Sequence, residues 1–174
     1  MKSKITGRSA LTRLTIAAIF MALTIALCSF SIPVPGGHLY LCDVAICTAA
    51  LLLDPFLAFV AGGVGAFFGD LIFYPLPMFV SLVTHGLQAV LISLFARYIL
   101  KKRPRLSSVI GLALGSIVMV TGYSLGRAFI YATPEYAVVK LPYEILQALI
   151  GAVLGFLLYW KTPLKRLYDR MTAN

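Results

Sequence analysis

Residues 71–96 read LIFYPLPMFVSLVTHGLQAVLISLFA, twenty-six positions without an Asp, Glu, Lys or Arg. Residues 14–42 and 106–126 are equally free of charge, and shorter clean runs fill 44–53, 55–69 and 145–160. A helix needs about 20 predominantly apolar residues to cross a bilayer. These runs therefore decide the fold class: an all-α integral membrane protein. Composition agrees. Of 174 residues, 60% are apolar and only 12% are charged, against a usual charged share of about 25%. The mean hydropathy is +0.94. A soluble domain of this size needs far more polar surface, which excludes a soluble enzyme and a disordered chain. At roughly 100–200 residues per domain, residues 1–174 are expected to form a single membrane domain.

Pro, Gly and Asp clusters divide the apolar sequence into a bundle of six expected spans. The first covers about 11–31 and closes at Pro33-Val34-Pro35-Gly36-Gly37. The second covers about 39–53 and closes at Asp54-Pro55, and the third about 56–73, closing at Tyr74-Pro75-Leu76-Pro77. The fourth covers about 77–98, the fifth about 106–131, stopping near Thr133-Pro134, and the sixth about 140–160, before Pro163. Spans two and three are short for a full crossing and are candidates for tilted, broken or re-entrant helices. The basic start and apolar stretch of residues 1–31 lack an Ala-x-Ala site, so they read as a retained span rather than a cleaved leader.

The net charge of +9 is a matter of position. Lys2, Lys4, Arg8 and Arg13 precede the first apolar run; Arg97, Lys101, Lys102, Arg103 and Arg105 form one cluster; Lys161, Lys165, Arg166 and Arg170 close the chain. These thirteen share one side if the spans alternate, against Lys140 alone on the other. The asymmetry follows the positive-inside rule and predicts an N-in/C-in multi-pass protein of a cell membrane. Basic clusters that flank apolar runs read as topology determinants in contact with the bilayer, not as a nucleic-acid surface.

Polar side chains within a bilayer are costly, and each is a functional candidate. All of them gather in the outer halves of the expected spans. Tyr40 and Asp43 stand near the start of the second, Asp70 near the end of the third, and His85 and Gln88 roughly 12 and 16 Å into the fourth. Tyr123 and Arg127 occupy the last turns of the fifth, Glu144 and Gln147 the first turns of the sixth. His85/Gln88 and Glu144/Gln147 are i, i+3 pairs and Tyr123/Arg127 an i, i+4 pair, so each pair shares a helix face. A conduction pathway would scatter such groups through the whole thickness. This pattern describes a blind cavity open to the outside, with apolar walls and a few placed polar groups. Arg127 and Glu144 are equally suited to pair with each other, and Asp43 and Asp70 to sit in water at helix ends. Tyr74, Tyr131, Tyr136 and Tyr143 crowd the same side, where tyrosines also form an interfacial belt.

Two kinds of small-residue stripe appear. Gly65/Gly69, Gly111/Gly115, Gly122/Gly126 and Gly151/Gly155 are G-x-x-x-G pairs suited to close packing inside the bundle. Ala18, Ala22 and Ala26 share one face of the first span, and spacing leaves open whether they pack inside or dock another membrane protein. Cys28, Cys42 and Cys47 lie in or beside apolar runs without zinc-type spacing, and no metal site is expected. The chain has no phosphate-binding G-x-x-x-x-G-K-[ST] loop, no H-E-x-x-H and no G-x-S-x-G. Neither a cofactor nor catalysis is expected: a cavity without an energy source describes a subunit that captures a solute and relies on partners.

The order of these features resembles the substrate-binding S component of energy-coupling factor (ECF) vitamin transporters. The resemblance runs through the basic N-terminus, the Ala-rich stretch 17–26, the Pro/Gly loop leading to Leu39-Tyr40-Leu41-Cys42-Asp43, Ala61-Gly62-Gly63-Val64-Gly65 with Gly69-Asp70, Tyr74-Pro75, Gly122-Tyr123, and Gln147-Ala148 with Gly151-Ala152-Val153. It implies a prokaryotic subunit that binds a vitamin from outside and associates with a membrane coupling protein and two cytoplasmic ATPases. In that family the alanine stripe of the first helix is the docking surface, here Ala18, Ala22 and Ala26. The closest branch is that for hydroxymethylpyrimidine, with pyridoxine a rival and riboflavin relatives similar in much of the pattern. Tyr143-Glu144 and His85 depart from that branch's pattern. Two other classes remain from the residues themselves: a small intramembrane enzyme using His85 and Glu144 as acid and base, and an assembly subunit without a ligand.

Overall fold

The computed structural model describes residues 7–173; Lys2 and Lys4 of the basic start lie outside them. Seven helices and one hairpin follow in order: α1 (Gly7–Cys28), β1 (Ser31–Val34), β2 (Gly37–Tyr40), α2 (Cys42–Leu52), α3 (Pro55–Phe73), α4 (Met78–Tyr98), α5 (Pro104–Tyr131), α6 (Pro134–Lys161) and α7 (Leu164–Thr172). Five of them, α1, α3, α4, α5 and α6, are long and apolar enough to cross a membrane. Outward faces carry apolar side chains such as Phe129, Ile130 and Val138, as suits lipid rather than water.

The boundaries differ from expectation where Pro or a short strand decides them. The first helix stops at Cys28, because Ser29 turns back to the Ala26 carbonyl through both its amide (3.2 Å) and its hydroxyl (2.6 Å). The Pro/Gly loop is then an antiparallel hairpin in register Ser31↔Tyr40 to Val34↔Gly37, which takes Leu39 and Tyr40 out of the second helix. Gly36, at φ +80°, makes the left-handed turn that an L side chain resists. Pro55, Pro104 and Pro134 each open a helix at its first turn, where the missing N–H costs nothing. So α6 begins at Pro134 and not near 140. The helix α3 carries a π-helical stretch, Val60–Val64, and α5 ends in another, Arg127–Tyr131.

At eleven residues α2 is about 16 Å long, roughly half the ~30 Å hydrocarbon core. It lies in the middle of the bundle with ten of its residues buried, packed against α1, α4 and α6. A helix end inside a bundle needs partners for its last carbonyls. Arg97 of α4 supplies them, donating from Nε to Leu53 O (2.8 Å) and from Nη2 to Leu52 O, while Ser93 Oγ also donates to Leu53 O (2.6 Å). Arg97 therefore serves as more than a topology charge.

The glycine pairs all pack inside. A Cβ on Gly69 would lie 2.6 Å from Cys28 Sγ, and one on Gly151 would lie 2.4 Å from Asp43 Cβ. Gly111/Gly115 and Gly122/Gly126 likewise face α4. The alanine stripe does the opposite. Ala17, Phe20, Thr24 and Cys28 turn α1 inward, and Ala18, Ala22 and Ala26 are exposed. At the far end α7 folds back on α1, with Ser9 Oγ donating to Thr172 O (3.0 Å). The two ends of the described chain thus meet at the basic end of the bundle, away from the hairpin.

Candidate functional site

Beneath the hairpin a slender cavity of about 40 Å³ runs between α1, α2, α3, α4, α5 and α6. Seven of the nine residues expected to touch a ligand line it: Tyr40, Asp70, His85, Tyr123, Arg127, Glu144 and Gln147. Asp43 and Gln88 do not. They lie behind it and hold its wall.

Asp43 is the hub. It is 1% exposed, and such a carboxylate must be surrounded by donors. Gln88 Nε2 donates to Oδ1 (3.1 Å) and Gln147 Nε2 to Oδ2 (2.7 Å). Gln147 then accepts from the Tyr40 backbone N–H (3.0 Å), tying the hairpin to the hub. Gln88 Oε1 accepts from His85 Nδ1 (2.7 Å). Because that amide oxygen only accepts, Nδ1 carries a proton, and the ring it holds in place lines the cavity. The i, i+3 spacing of His85 and Gln88 thus makes a positioning pair. Cys42, Asp43 and His85 also bring one potential metal-ligand atom each within 4.8 Å. The Asp43 oxygens and His85 Nδ1 are already occupied within the hub, so the cluster reads as a hydrogen-bonded wall.

One turn before His85 on α4, Ser81 Oγ donates to Asp70 Oδ2, and Tyr123 Oη lies 2.5 Å from the same hydroxyl. With Ser81 donating to the carboxylate, Tyr123 donates to Ser81. The Tyr123 ring meets the His85 ring edge-on, centroids 5.2 Å apart. Asp70, a carboxylate that only accepts, lines this part of the cavity beside the His85 ring and suits a ligand that offers N–H or O–H donors. Tyr131 adds a buried hydroxyl without a partner.

The mouth is cationic. The π turn at the end of α5 carries Arg127, which donates from Nη1 to Gly36 O (2.9 Å) and from Nη2 to Glu144 Oε1 (2.9 Å), and stacks over Tyr131 at 5.3 Å. Lys140, 1% exposed, reaches the same Glu144 oxygen at 3.5 Å. The pairing of Arg127 with Glu144 is therefore real, and Glu144 still lines the cavity. His38 stands at the rim, its ring beside Tyr40 (6.2 Å) and Tyr74 (6.4 Å). Burial and the nearby Asp70 charge push the Tyr40 phenol well above its ordinary pKa, which keeps it a hydrogen-bond donor. Tyr136 is exposed, and Tyr143 does not line the cavity.

Comparison with known proteins decides what kind of molecule carries this cavity. The family model for the S component of the ECF-type riboflavin transporter matches residues 9–165. The chain belongs to this family. An uncharacterized protein in the gap 3′ region of Pyrococcus woesei is 33% identical over 136 residues, which cover 77% of this chain and 89% of the relative. ECF S components are vitamin-binding subunits of transporters, not enzymes, and work with a coupling protein and ATPases. The intramembrane-enzyme reading of His85 and Glu144 gives way accordingly.

Three residues of this S component escaped sequence reasoning. Ser81 links Asp70 to Tyr123 but is one serine in an apolar run. Lys140 reads as a loop charge if the last span starts near 140, whereas α6 begins at Pro134 and carries it on the helix. Thr84 packs against Gly122 where α4 and α5 cross, at 2.5 Å from where a Cβ would stand; its i+3 relation to Ser81 was the available signal.

Proposed function

We propose that this S component captures a small aromatic heterocycle, hydroxymethylpyrimidine or pyridoxine, in the cavity beneath the hairpin. The observation that carries the reading is the wall formed by Asp70, Ser81, Tyr123 and His85. It offers acceptors to ring amino or hydroxymethyl groups and an aromatic edge to a single ring, in a slender space. A second reading is riboflavin, favoured by the riboflavin-type family match.

The orientation follows the charge. The basic end lies in the cytoplasm and the hairpin end outside a prokaryotic cytoplasmic membrane, with N-in/C-in topology and six passes that count the short α2. The exposed face of Ala18, Ala22 and Ala26 docks on an ECF coupling protein carrying two cytoplasmic ATPases. Its exposure supports this, since the other small-residue stripes are used up inside the bundle.

Mass spectrometry of small molecules released from the detergent-purified protein tests the reading. A single-ring vitamin at one per chain is the expected result. Stoichiometric riboflavin supports the second reading, and no vitamin at all from a vitamin-replete host counts against both. An assembly subunit without a ligand predicts that last outcome.

A further inference from the structure

At the basic end two cations from different elements converge on one indole. The Arg105 guanidinium, in the first turn of α5, lies 5.5 Å from the Trp160 ring centroid, and the Lys165 ammonium of α7 lies 4.6 Å from it. Neither has a carboxylate partner: the ion pairs among the described residues are His85–Asp43, Arg127–Glu144 and Lys140–Glu144, all at the hairpin end. Trp160 Nε1 is itself buried without a hydrogen-bond acceptor.

Trp160 also touches Phe156, ring centroids 6.4 Å apart, and Phe156 opens an apolar groove between α5 and α6. Val109, Leu112, Ile117, Val153, Phe156 and Leu157 line this groove, which holds about 510 Å³. It continues along the same two helices past Val120 and Thr121. From Val109 to Thr121 the rise is about 18 Å, close to one leaflet of a ~30 Å hydrocarbon core. The groove is outward-facing, with Val109, Ile117 and Val153 about half exposed.

We propose that the Trp160 clamp and the α5–α6 groove form one binding site for an anionic phospholipid. The phosphate sits between Arg105 and Lys165, where charge-assisted hydrogen bonds replace the missing carboxylate. One acyl chain lies along the groove. The charge complementarity of two cations without a carboxylate and the continuity from indole to groove select this occupant over an apolar transmembrane helix, which would leave both cations unanswered. Its assignment to the cytoplasmic leaflet rests on the orientation proposed above; the site itself does not.

Native mass spectrometry of the full chain, titrated with phosphatidylglycerol or phosphatidylcholine, tests the site. The expected result is one phosphatidylglycerol retained over phosphatidylcholine by on the order of tenfold. Arg105→Ala with Lys165→Ala abolishes that preference, and Val153→Trp, which fills the groove, weakens retention of both lipids. Lys101→Ala with Lys102→Ala removes the same charge from the same end and keeps the preference. Equal retention of the two lipids by the unmodified chain overturns the proposal. So does equal loss in the Lys101/Lys102 variant, which means diffuse attraction without a site. Vitamin titration of the same samples, with thermal melts to confirm folding, reads the hairpin-end cavity separately, so either reading can fail alone.

Discussion

The two ends of this bundle treat buried polarity in opposite ways. At the basic end Arg97 spends its guanidinium on the Leu52 and Leu53 carbonyls, repairing a helix that stops inside the bundle. At the hairpin end Asp43, Gln88, Gln147 and His85 hold one another, Arg127 and Lys140 share Glu144, and the Asp70 carboxylate still faces the cavity. Polarity among packed helices therefore does not mark a ligand site by itself. A surplus beyond what the backbone and neighbours consume does.

Several substitutions sharpen or break that contrast. Gly151→Val has the largest expected effect, because any Cβ there collides with Asp43. Overpacking costs roughly 1–3 kcal/mol or more, and thermal melts of the purified protein should show a large fall together with loss of ligand capture. Gln147→Leu leaves Asp43 Oδ2 and the Tyr40 N–H unpaired, a loss of about 1–3 kcal/mol, again with weakened capture. Arg97→Met orphans the Leu52 carbonyl and leaves Leu53 O to Ser93 alone, at a similar cost of about 1–3 kcal/mol. Ligand affinity measured by calorimetry should be unchanged there, and a large affinity loss would erase the distinction between the two ends. Arg127→Gln releases the Gly36 carbonyl, leaves Glu144 to Lys140 alone and should raise amide exchange across residues 31–40, at a cost of about 1.5–3 kcal/mol. Ala22→Leu lies on the exposed stripe, so stability stays within about 0.5 kcal/mol. Uptake by reconstituted transporter should nevertheless be lost while ligand binding persists.

Much of this was legible in the sequence because hydrophobic runs and Pro/Gly punctuation act locally. Four of the five long spans and the gathering of His85, Asp70, Tyr123, Arg127, Glu144 and Gln147 around one cavity followed from run length and helical spacing; α3, which reads as short, is the fifth. Other features were not legible, because they depend on which elements meet. Leu39 and Tyr40 belong to a strand only because Ser31 and Ile32 pair with them. Pro134 reads equally as a stop or as a first-turn residue, and that ambiguity hid Lys140. Asp43 and Gln88 share the polar depth of the lining residues, yet packing places them one layer back. Spacing alone did not separate the alanine stripe from the glycine pairs; the fold exposes one and buries the other.

The central claim is that the hairpin-end surplus is a capture site for a single-ring vitamin, and a calorimetric titration tests it most directly. Hydroxymethylpyrimidine, pyridoxine and riboflavin would each be titrated into the detergent-purified protein and into Asp70→Asn. The account predicts tight, one-to-one binding of a single-ring compound that falls by at least on the order of tenfold in Asp70→Asn, the worth of one hydrogen bond to a charged group. Binding of riboflavin alone, or single-ring binding that Asp70→Asn leaves untouched, would contradict it.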